Sequence, residues 1–454
     1  MIKLTIIGAG SAVFTKNIVT DLLSVDAFKK MEIALQDIDP VRLKASHELL
    51  NVIAEKLNAS PTITSHADRK ESLLGSDFVQ TTIQVGGYKP STVIDFEIPN
   101  EYGLKQTIAD TLGIGGIMRG LRTIPVLLDI AKDIMDICPK AIWLQYVNPM
   151  CANMIAINNS FPEIKTVGLC HSVQGTAEML AKDLGEKIED IDYLCAGINH
   201  MAFYKKFEKK FNDGKNEDLY PRLKNLAEKI INDEELSSRS KKIDHESDKV
   251  LHEKVRYEIL RRFGYFVTES SEHFAEYVPW FIKQNRQEEI DKYKIPIEEY
   301  IDRCKSNIKL WKDLEKDMTP IHNQSLIRSN EYASFIMDGV VNNNQVTINA
   351  NVMNKGYIEN LPYNCCVEVP CSINSNVYTP QKFGRLPEHL AALMRTNINV
   401  QILTAEAAIT KKREHIYHAA LLDPLTAANL TIDEIYSMTD KMIDAHSNFL
   451  PKYT

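Results

Sequence analysis

The feature that most constrains the fold of this chain is a glycine turn near its N-terminus. An apolar strand predicted over residues 3–7 runs into Gly8 and Gly10, and helical spacing of apolar residues follows over 13–23. A strand, a glycine turn and a helix N-terminus form the usual cradle for a dinucleotide pyrophosphate. The residues expected to line this cradle are Gly8, Ala9, Gly10, Ser11, Ala12, Val13 and Phe14.

An acidic residue after the next strand points to the same ligand. Asp37 follows a strand predicted over 31–35, near the spacing of a ribose-binding acid. A carboxylate there accepts hydrogen bonds from ribose hydroxyls and repels a 2′-phosphate, so NAD is expected rather than NADP. Val13 replaces the third glycine of the common fingerprint, and the alternative interpretation is a tight turn without a ligand.

Strands and helices alternate through the N-terminal half. Further strands are predicted over 63–65, 78–83, 141–147, 166–169 and 193–196, and helices over 41–57 and 123–138. This order predicts a Rossmann-like doubly wound α/β sheet, which binds ligands at the carboxyl ends of its strands. Residues 201–454 are predicted to form a mixed α+β domain for substrate and oligomerisation, beside an NAD-binding domain over 1–200. The predicted plan is that of lactate and malate dehydrogenases.

Composition narrows the class of protein and its surroundings. The chain has 454 residues and a formal net charge of −8, which gives no reason to expect nucleic acid or an anionic membrane as partner. Its eight cysteines show no CxxC spacing, which favours a reducing compartment over a disulfide framework. We see neither a signal peptide nor an apolar stretch long enough to span a bilayer, so the expected location is the cytoplasm.

A cysteine and a histidine at two strand ends are candidate metal ligands. Cys170 follows the strand predicted over 166–169, and His200 follows that over 193–196. A thiolate and an imidazole suit a borderline divalent ion. The alternative is a buried cysteine and a hydrogen-bonded core histidine. His171, directly after the cysteine, could donate a proton to a leaving oxygen or could be a turn residue.

Three further segments carry polar groups. Asn148 ends a strand and could bind sugar hydroxyls or simply form a turn. The glycine-rich residues 107–120 could form a mobile lid before a helix, with Asp110 and Arg119 as polar contacts, or an ordinary loop. Ionisable groups cluster over 269–277. Their apolar flanks favour partial burial over a solvated charged face.

These segments together resemble one enzyme family. The resemblance covers almost the whole chain and is carried by residues 8–14 and 107–121, Tyr146-Val147-Asn148-Pro149, Cys170-His171-Ser172-Val173, Gly197-Ile198-Asn199-His200 and residues 264–280. The chain is similar to the family 4 glycoside hydrolases and most closely to their α-galactosidase branch, of which the Cys-His-Ser-Val form is the mark.

The resemblance implies hydrolysis of terminal α-galactosides such as melibiose with NAD and a divalent metal, usually manganese. The galactosyl unit would be oxidised at C3, lose its C2 proton and leaving group by elimination, add water and be reduced again. Two-carboxylate glycosidase chemistry does not apply. By the same resemblance, Cys170 and His200 bind the metal, His171 is the proton donor, Asn148 binds substrate, and the protein is a homodimer or homotetramer.

The resemblance leaves the C2 base open. The family uses a tyrosine or an aspartate in the turn after the helix that ends at Gly264, and neither residue occurs there. The candidates are Glu269, Glu272, His273 and Tyr265. Other activities also stay open: a family 4 α-glucosidase or α-galacturonidase, a lactate- or malate-type dehydrogenase, or an NAD-binding sensor that uses Cys170 as a redox switch.

Overall fold

The strands of the chain form one continuous sheet. The structure is a computed structural model that describes residues 1–244, 247, 249–316, 326–329, 331–375 and 377–454; the side chains of Ala12, Val13 and residues 314–316 lie outside this description. The strands are β1 Lys3–Ile7, β2 Glu32–Gln36, β3 Thr62–His66, β4 Phe78–Thr81, β5 Ile142–Gln145, β6 Thr166–Gly168, β7 Ile191–Ile198, β8 Met201–Lys210, β9 Asn216–Asp218, β10 Val346–Met353, β11 Cys366–Asn374 and β12 Val377–Pro380.

Helices cover the sheet. They are α1 Ala12–Leu23, α2 Pro40–Lys56, α3 Arg69–Leu73, α4 Val93–Glu101, α5 Gly113–Ile137, α6 Met150–Ser160, α7 Ser172–Asp183, α8 Tyr220–Ile231, α9 Lys254–Phe263, α10 Ser271–Glu276, α11 Gln287–Tyr293, α12 Glu299–Lys316, α13 Tyr332–Asn342, α14 Glu388–Thr410, α15 Arg413–Leu422, α16 Pro424–Asn429 and α17 Ile432–Ala445. Of the described helices, none is both long and apolar enough to cross a bilayer.

The N-terminal half is a parallel sheet in the order β3-β2-β1-β4-β5-β6. Every residue of β1, β4, β5 and β6 is buried, as expected for parallel strands covered on both faces by helices. This strand order is the one found in dinucleotide-binding folds, and it confirms the predicted Rossmann-like class.

The C-terminal half extends this sheet with antiparallel strands, in the order β6-β10-β11-β7-β8-β9. One row of paired residues crosses the junction, from Gly168 through Asn351 and Glu368 to Gly197. Cys170 and His200 follow the two ends of this row by two and three residues. The junction therefore brings the two candidate metal ligands to the same region.

The long helix α5 begins earlier than the sequence suggests. The predicted helix started at residue 123, after a glycine-rich loop, whereas α5 begins at Gly113. A side chain at position 116 would meet the backbone of Thr111 at 2.5 Å, and one at position 120 would meet Thr404 of α14 at 2.7 Å. Close packing therefore uses these glycines inside a helix despite their low helix propensity, and the predicted loop is shortened to 107–112.

A hairpin lies where the sequence predicted only a single short strand. β7 and β8 pair in antiparallel register from Ile198 and Met201 outwards, so His200 lies in the tight turn between them. The strand predicted over 193–196 is therefore longer than expected and runs antiparallel to β11 and β8 rather than joining the parallel sheet.

Candidate active site

Three side chains from separate segments meet beyond β6 and β7. The Cys170 Sγ atom lies 3.9 Å from Glu269 Oε2, and His200 Nε2 lies 3.5 Å from the same oxygen. All three ligand atoms lie within 4.8 Å of one another. Ligand atoms bonded to one ion at about 2.0–2.3 Å are spaced by about 3.5 Å, so thiolate, imidazole and carboxylate fit a divalent metal.

The surroundings of His200 suit a metal ligand. Its Nδ1 atom lies 3.1 Å from the Tyr277 hydroxyl, and a proton donated from Nδ1 to that oxygen leaves Nε2 free to bind a cation. Burial lowers the pKa of His200 to about 4 against the opposing charge of Glu269, so the imidazole is neutral. Tyr277 is a positioning residue to which the sequence analysis gave no individual role.

Burial opposes the ionisation of two acidic groups beside Glu269. Burial, followed by the charges of Glu269 and Glu368, raises the pKa of the Cys170 thiol well above its usual range. Glu368, fully buried on β11, has its own pKa raised to about 8 by burial and by Glu269. Its Oε2 atom has no hydrogen-bond partner among the described residues. A bound cation would favour the ionised form of both groups.

Backbone strain concentrates around these side chains. Ala109, His200 and Glu269 have φ values of 53°, 63° and 69°, in the left-handed region that non-glycine residues rarely adopt. Such conformations cost on the order of 1–3 kcal/mol each and tend to occur at functional sites. For Ala109, the hydrogen bonds from its own N–H and that of Thr107 to the buried Glu276 carboxylate hold the segment in place.

Asp110 is the centre of a polar group next to the cluster. Asn148 Nδ2 donates to its Oδ2 atom at 3.1 Å, and Arg119 Nη1 lies 4.0 Å from the same oxygen. His273 Nε2 lies 4.0 Å from Asp110 Oδ1. Burial opposes ionisation of Asp110, but the charges of Arg119 and His273 lower its pKa. The structure thus brings the three predicted substrate residues together.

The four candidate bases lie in different surroundings. Glu272 is held by Arg239, with oxygen–nitrogen distances of 2.5 and 3.1 Å, and burial is outweighed by this partner so that its pKa is lowered. The Tyr265 ring packs against Tyr220 and His389 instead of the cluster.

The other two candidates lie together inside the site. The Glu269 carboxylate contacts the two candidate ligands, and positively charged groups around it, Arg256 among them, outweigh burial and lower its pKa far below the usual range. His273 Nδ1 lies 2.8 Å from Ser270 Oγ and 3.5 Å from Glu269 Oε1. His273 therefore joins the ligand cluster to the Asp110 group.

His171 lies at the entrance of the site. Its side chain is 60% exposed, and its Nδ1 atom lies 3.6 Å from Glu331 Oε1. It directly precedes α7 and follows Cys170 in the chain. This position lets the imidazole reach a group that enters from solvent.

The predicted dinucleotide loop adopts a tight turn. Gly8 has φ +82°, and a side chain there would lie 2.4 Å from the Thr82 carbonyl oxygen. The N–H of Gly10 donates to Asp37 Oδ2 at 2.7 Å. Within the described residues, the first turn of α1 has neither a side-chain cap nor an acidic residue, so its N–H groups can donate hydrogen bonds to a phosphate. Phe14, in this turn, packs on Tyr146.

Comparisons with known proteins identify relatives over the whole chain. The family model "Family 4 glycosyl hydrolase" matches residues 3–186, and "Family 4 glycosyl hydrolase C-terminal domain" matches 195–426. An alpha-galactosidase of Bacillus subtilis (strain 168) is 48% identical and covers 100% of both chains. An alpha-galactosidase of Rhizobium meliloti (strain 1021) is 34% identical, covering 99% of this chain and 89% of its own.

A solved structure shares the fold. The 6-phospho-alpha-glucosidase from gut microorganisms, in complex with NAD and Mn2+, superposes with a TM-score of 0.82 at 18% identity, and 100% of each chain is covered. At this level of identity, the similarity shows that the two chains have the same architecture.

Proposed function

The chain belongs to the family 4 glycosyl hydrolases, and we propose that it is an α-galactosidase that acts on terminal α-galactosides such as melibiose with NAD and a divalent metal. Manganese is the preferred candidate. The cluster of Cys170, His200 and Glu269 beside Asp110 carries the proposal. The two alpha-galactosidases to which the chain is similar support the choice of sugar.

The cofactors divide the chemistry between them. When bound, NAD supplies an oxidant at C3 of the sugar, and the metal supplies a Lewis acid at the sugar oxygens. Cys170, His200 and Glu269 would hold the metal, with Tyr277 orienting the imidazole. The loop from Gly8 to Phe14 would hold the pyrophosphate, and Asp37 the adenosine ribose.

The polar group around Asp110 would bind the galactosyl unit. Asp110 and Asn148 offer acceptors and donors suited to sugar hydroxyls, and Arg119 is fixed by a 3.1 Å hydrogen bond to the Tyr300 hydroxyl. These groups are already oriented by one another, so little ordering is needed when a sugar binds.

We assign the C2 base to His273 among the four candidates. Glu272 is neutralised by Arg239, Tyr265 packs elsewhere, and Glu269 is a weak base because its pKa is lowered. The His273 imidazole lies beside the Asp110 carboxylate, and an imidazole is a common general base. His171, at the entrance, would protonate the leaving oxygen.

The proposal also includes a cellular location, an oligomeric state and a division into two domains. The eight cysteines are all free thiols, which supports a cytoplasmic location. We propose a homodimer or homotetramer, which size-exclusion chromatography with light scattering would measure, and a functional division near residue 200.

Membership of this family excludes the dehydrogenase and sensor alternatives. An α-glucosidase or α-galacturonidase activity would be detected by assaying the three glycosides side by side.

One assay tests the cofactor requirement. Hydrolysis of a chromogenic α-galactoside should need NAD+, Mn2+ and a thiol reductant together, because only a reduced Cys170 can be a ligand. Full activity after chelation and removal of NAD would contradict the proposal.

A labelling experiment tests the elimination and the base. Turnover in D2O should place deuterium at C2 of the released galactose, since elimination removes that proton and direct displacement does not. We expect His273→Gln to slow hydrolysis and C2 exchange about 100-fold or more while NAD and Mn2+ still bind. Glu269→Gln should instead weaken Mn2+ binding. Normal C2 exchange in His273→Gln would exclude this assignment.

A further inference from the structure

A buried carboxylate at the end of α10 binds the loop over 107–112. Glu276 is 1% exposed. Its two oxygen atoms accept hydrogen bonds from three successive backbone N–H groups, those of Thr107 at 2.9 Å, Ile108 at 3.2 Å and Ala109 at 2.9 Å. Burial raises the pKa of Glu276 to about 7 against these hydrogen bonds, so the carboxylate is mostly ionised at pH 8.

A further contact joins the same two segments. The Thr107 hydroxyl donates to the Glu272 carbonyl oxygen at 2.6 Å, and these two residues are 165 positions apart in the chain. Ala109 lies at the end of the bound stretch with a φ of 53°, a conformation that needs such support in a residue other than glycine. The position of the loop relative to α10 is therefore fixed by long-range hydrogen bonds.

The joined segments carry two groups proposed to act on the sugar. Asp110, the proposed sugar-binding acid, directly follows Ala109 in the loop. His273, the proposed base, lies one turn before Glu276 on α10. The Asp110 Oδ1 atom is 4.0 Å from His273 Nε2. The hydrogen bonds of Glu276 therefore determine how the sugar-binding acid and the base are placed relative to each other.

We propose that Glu276 is a positioning residue for the galactosyl unit. Its carboxylate holds the loop so that Asp110 binds sugar hydroxyls while His273 reaches the C2 proton. This role rests on the proposed α-galactosidase function and adds to it a residue that acts through the loop. Among the described residues, the carboxylate forms its hydrogen bonds with this loop and not with Cys170 or His200, so metal binding should not depend on it.

Binding of galactose tests this role separately from turnover. At pH 8, with NAD+ and Mn2+ present, we expect Glu276→Gln to weaken galactose binding about tenfold in calorimetric titration, because one acceptor oxygen becomes an NH2 donor that faces the N–H groups of the loop. The affinities for Mn2+ and NAD+ should stay within about twofold of wild type. The kcat for a chromogenic α-galactoside should fall further, about 100-fold, since a misplacement of about 1 Å can cost that much.

Two further sets of variants provide controls. Thr107→Val removes the hydroxyl that binds the Glu272 carbonyl and should weaken galactose binding about threefold, whereas Thr107→Ser keeps a hydroxyl and should bind like wild type. Glu258→Gln is the matched carboxylate-to-amide control. Glu258 is a buried acid of α9 that pairs with Arg261 and Arg262, and its substitution should leave galactose affinity unchanged.

The outcomes separate this role from the proposed function. Galactose affinity within twofold of wild type in Glu276→Gln would overturn the role of Glu276. Equal losses of galactose, Mn2+ and NAD+ affinity would also overturn it, since they indicate a general structural effect. If Glu276→Gln does not fold, equal galactose affinity in Thr107→Val and Thr107→Ser would overturn it. Failure of the wild-type enzyme to hydrolyse α-galactosides would instead overturn the proposed function.

Discussion

The two sides of the site differ in what holds them in shape. On the dinucleotide side, the N–H groups of Gly8 and Ala9 both donate to the Gln36 carbonyl, and that of Gly10 donates to Asp37. The metal side is assembled from Cys170, His200 and Glu269, which come from three distant segments. The first side is fixed by neighbouring strands, and the second by long-range packing.

The charge balance differs in the same way. On the dinucleotide side, the Asp37 carboxylate accepts from two backbone N–H groups, those of Gly10 and Asp39, at 2.7 and 2.9 Å. On the candidate metal side, burial and then the charges of Glu269 and Glu368 raise the pKa of the Cys170 thiol. The Asp37 carboxylate is therefore held by backbone hydrogen bonds, whereas burial opposes the ionisation of Cys170 and Glu368 on the candidate metal side. Substitutions on each side should therefore change the affinity for one ligand and leave that for the other nearly unchanged.

The largest expected effect is on the metal side. In Cys170→Ser, we expect Mn2+ affinity and α-galactoside hydrolysis to fall at least about 100-fold, because loss of a direct ligand should exceed the loss of an outer partner. NAD binding should stay within about twofold of wild type. Electron paramagnetic resonance of free Mn2+ measures the metal affinity, and titration of the protein's fluorescence with NAD+ measures the NAD affinity. Cys138→Ser, in a buried thiol at the end of α5, is the matched control. Equal losses of Mn2+ and NAD affinity would show that the two sides are not independent.

A smaller effect is expected on the dinucleotide side. Asp37→Asn should weaken NAD+ binding about tenfold, because a charged hydrogen bond to the ribose contributes about 1.5–3 kcal/mol. NADP+ should lose less, since the repulsion of its phosphate is removed. Calorimetric titration of both cofactors gives the ratio. Asp39→Asn is the control, because Asp39 caps α2 through the N–H groups of Val41 and Arg42, and asparagine caps equally well. If Asp37→Asn weakened the binding of NAD+ and NADP+ equally, Asp37 would not be the residue that binds the ribose.

The same contrast explains which parts could be predicted from the sequence. Strand β1 has the predicted bounds, and the bounds of helices α1 and α2 differ from the predicted ones by one residue. These elements could be predicted because apolar periodicity and the glycine turn are local features of the sequence. The start of α5 was not predicted because four of its first eight residues are glycines. Glycine has a low helix propensity, and these glycines lie in a helix because neighbouring groups pack closely against them.

The ligand set of the candidate metal side could not be predicted from local sequence patterns. Glu269 lies 99 residues from Cys170 along the chain, and nothing in its spacing links the two. The positive φ of His200 and Glu269 depends on the β7–β8 turn and on contacts with α10, which form only in the folded chain. The available signal was a run of ionisable residues between apolar flanks, which indicated burial without indicating partners. Glu368 gave a weaker signal still, as a lone acid inside an apolar strand.

The last prediction tests the buried acid of the candidate metal side through pH. Glu368 has a pKa near 8 in the folded chain, above the usual value of about 4.5, so the folded state keeps a proton that the unfolded state releases between these values. Stability of the metal-free protein should therefore fall as pH rises from 5 to 8, with a slope of up to about 1.4 kcal/mol per pH unit from this group, and level off above. Urea unfolding of Glu368→Gln should show a shallower slope. Glu359→Gln should follow the wild-type curve, because Lys382 lowers the pKa of Glu359 and it titrates below this range. Parallel curves for wild type and Glu368→Gln would mean that Glu368 is ionised in the folded chain, so that the candidate metal side carries one more negative charge than we infer.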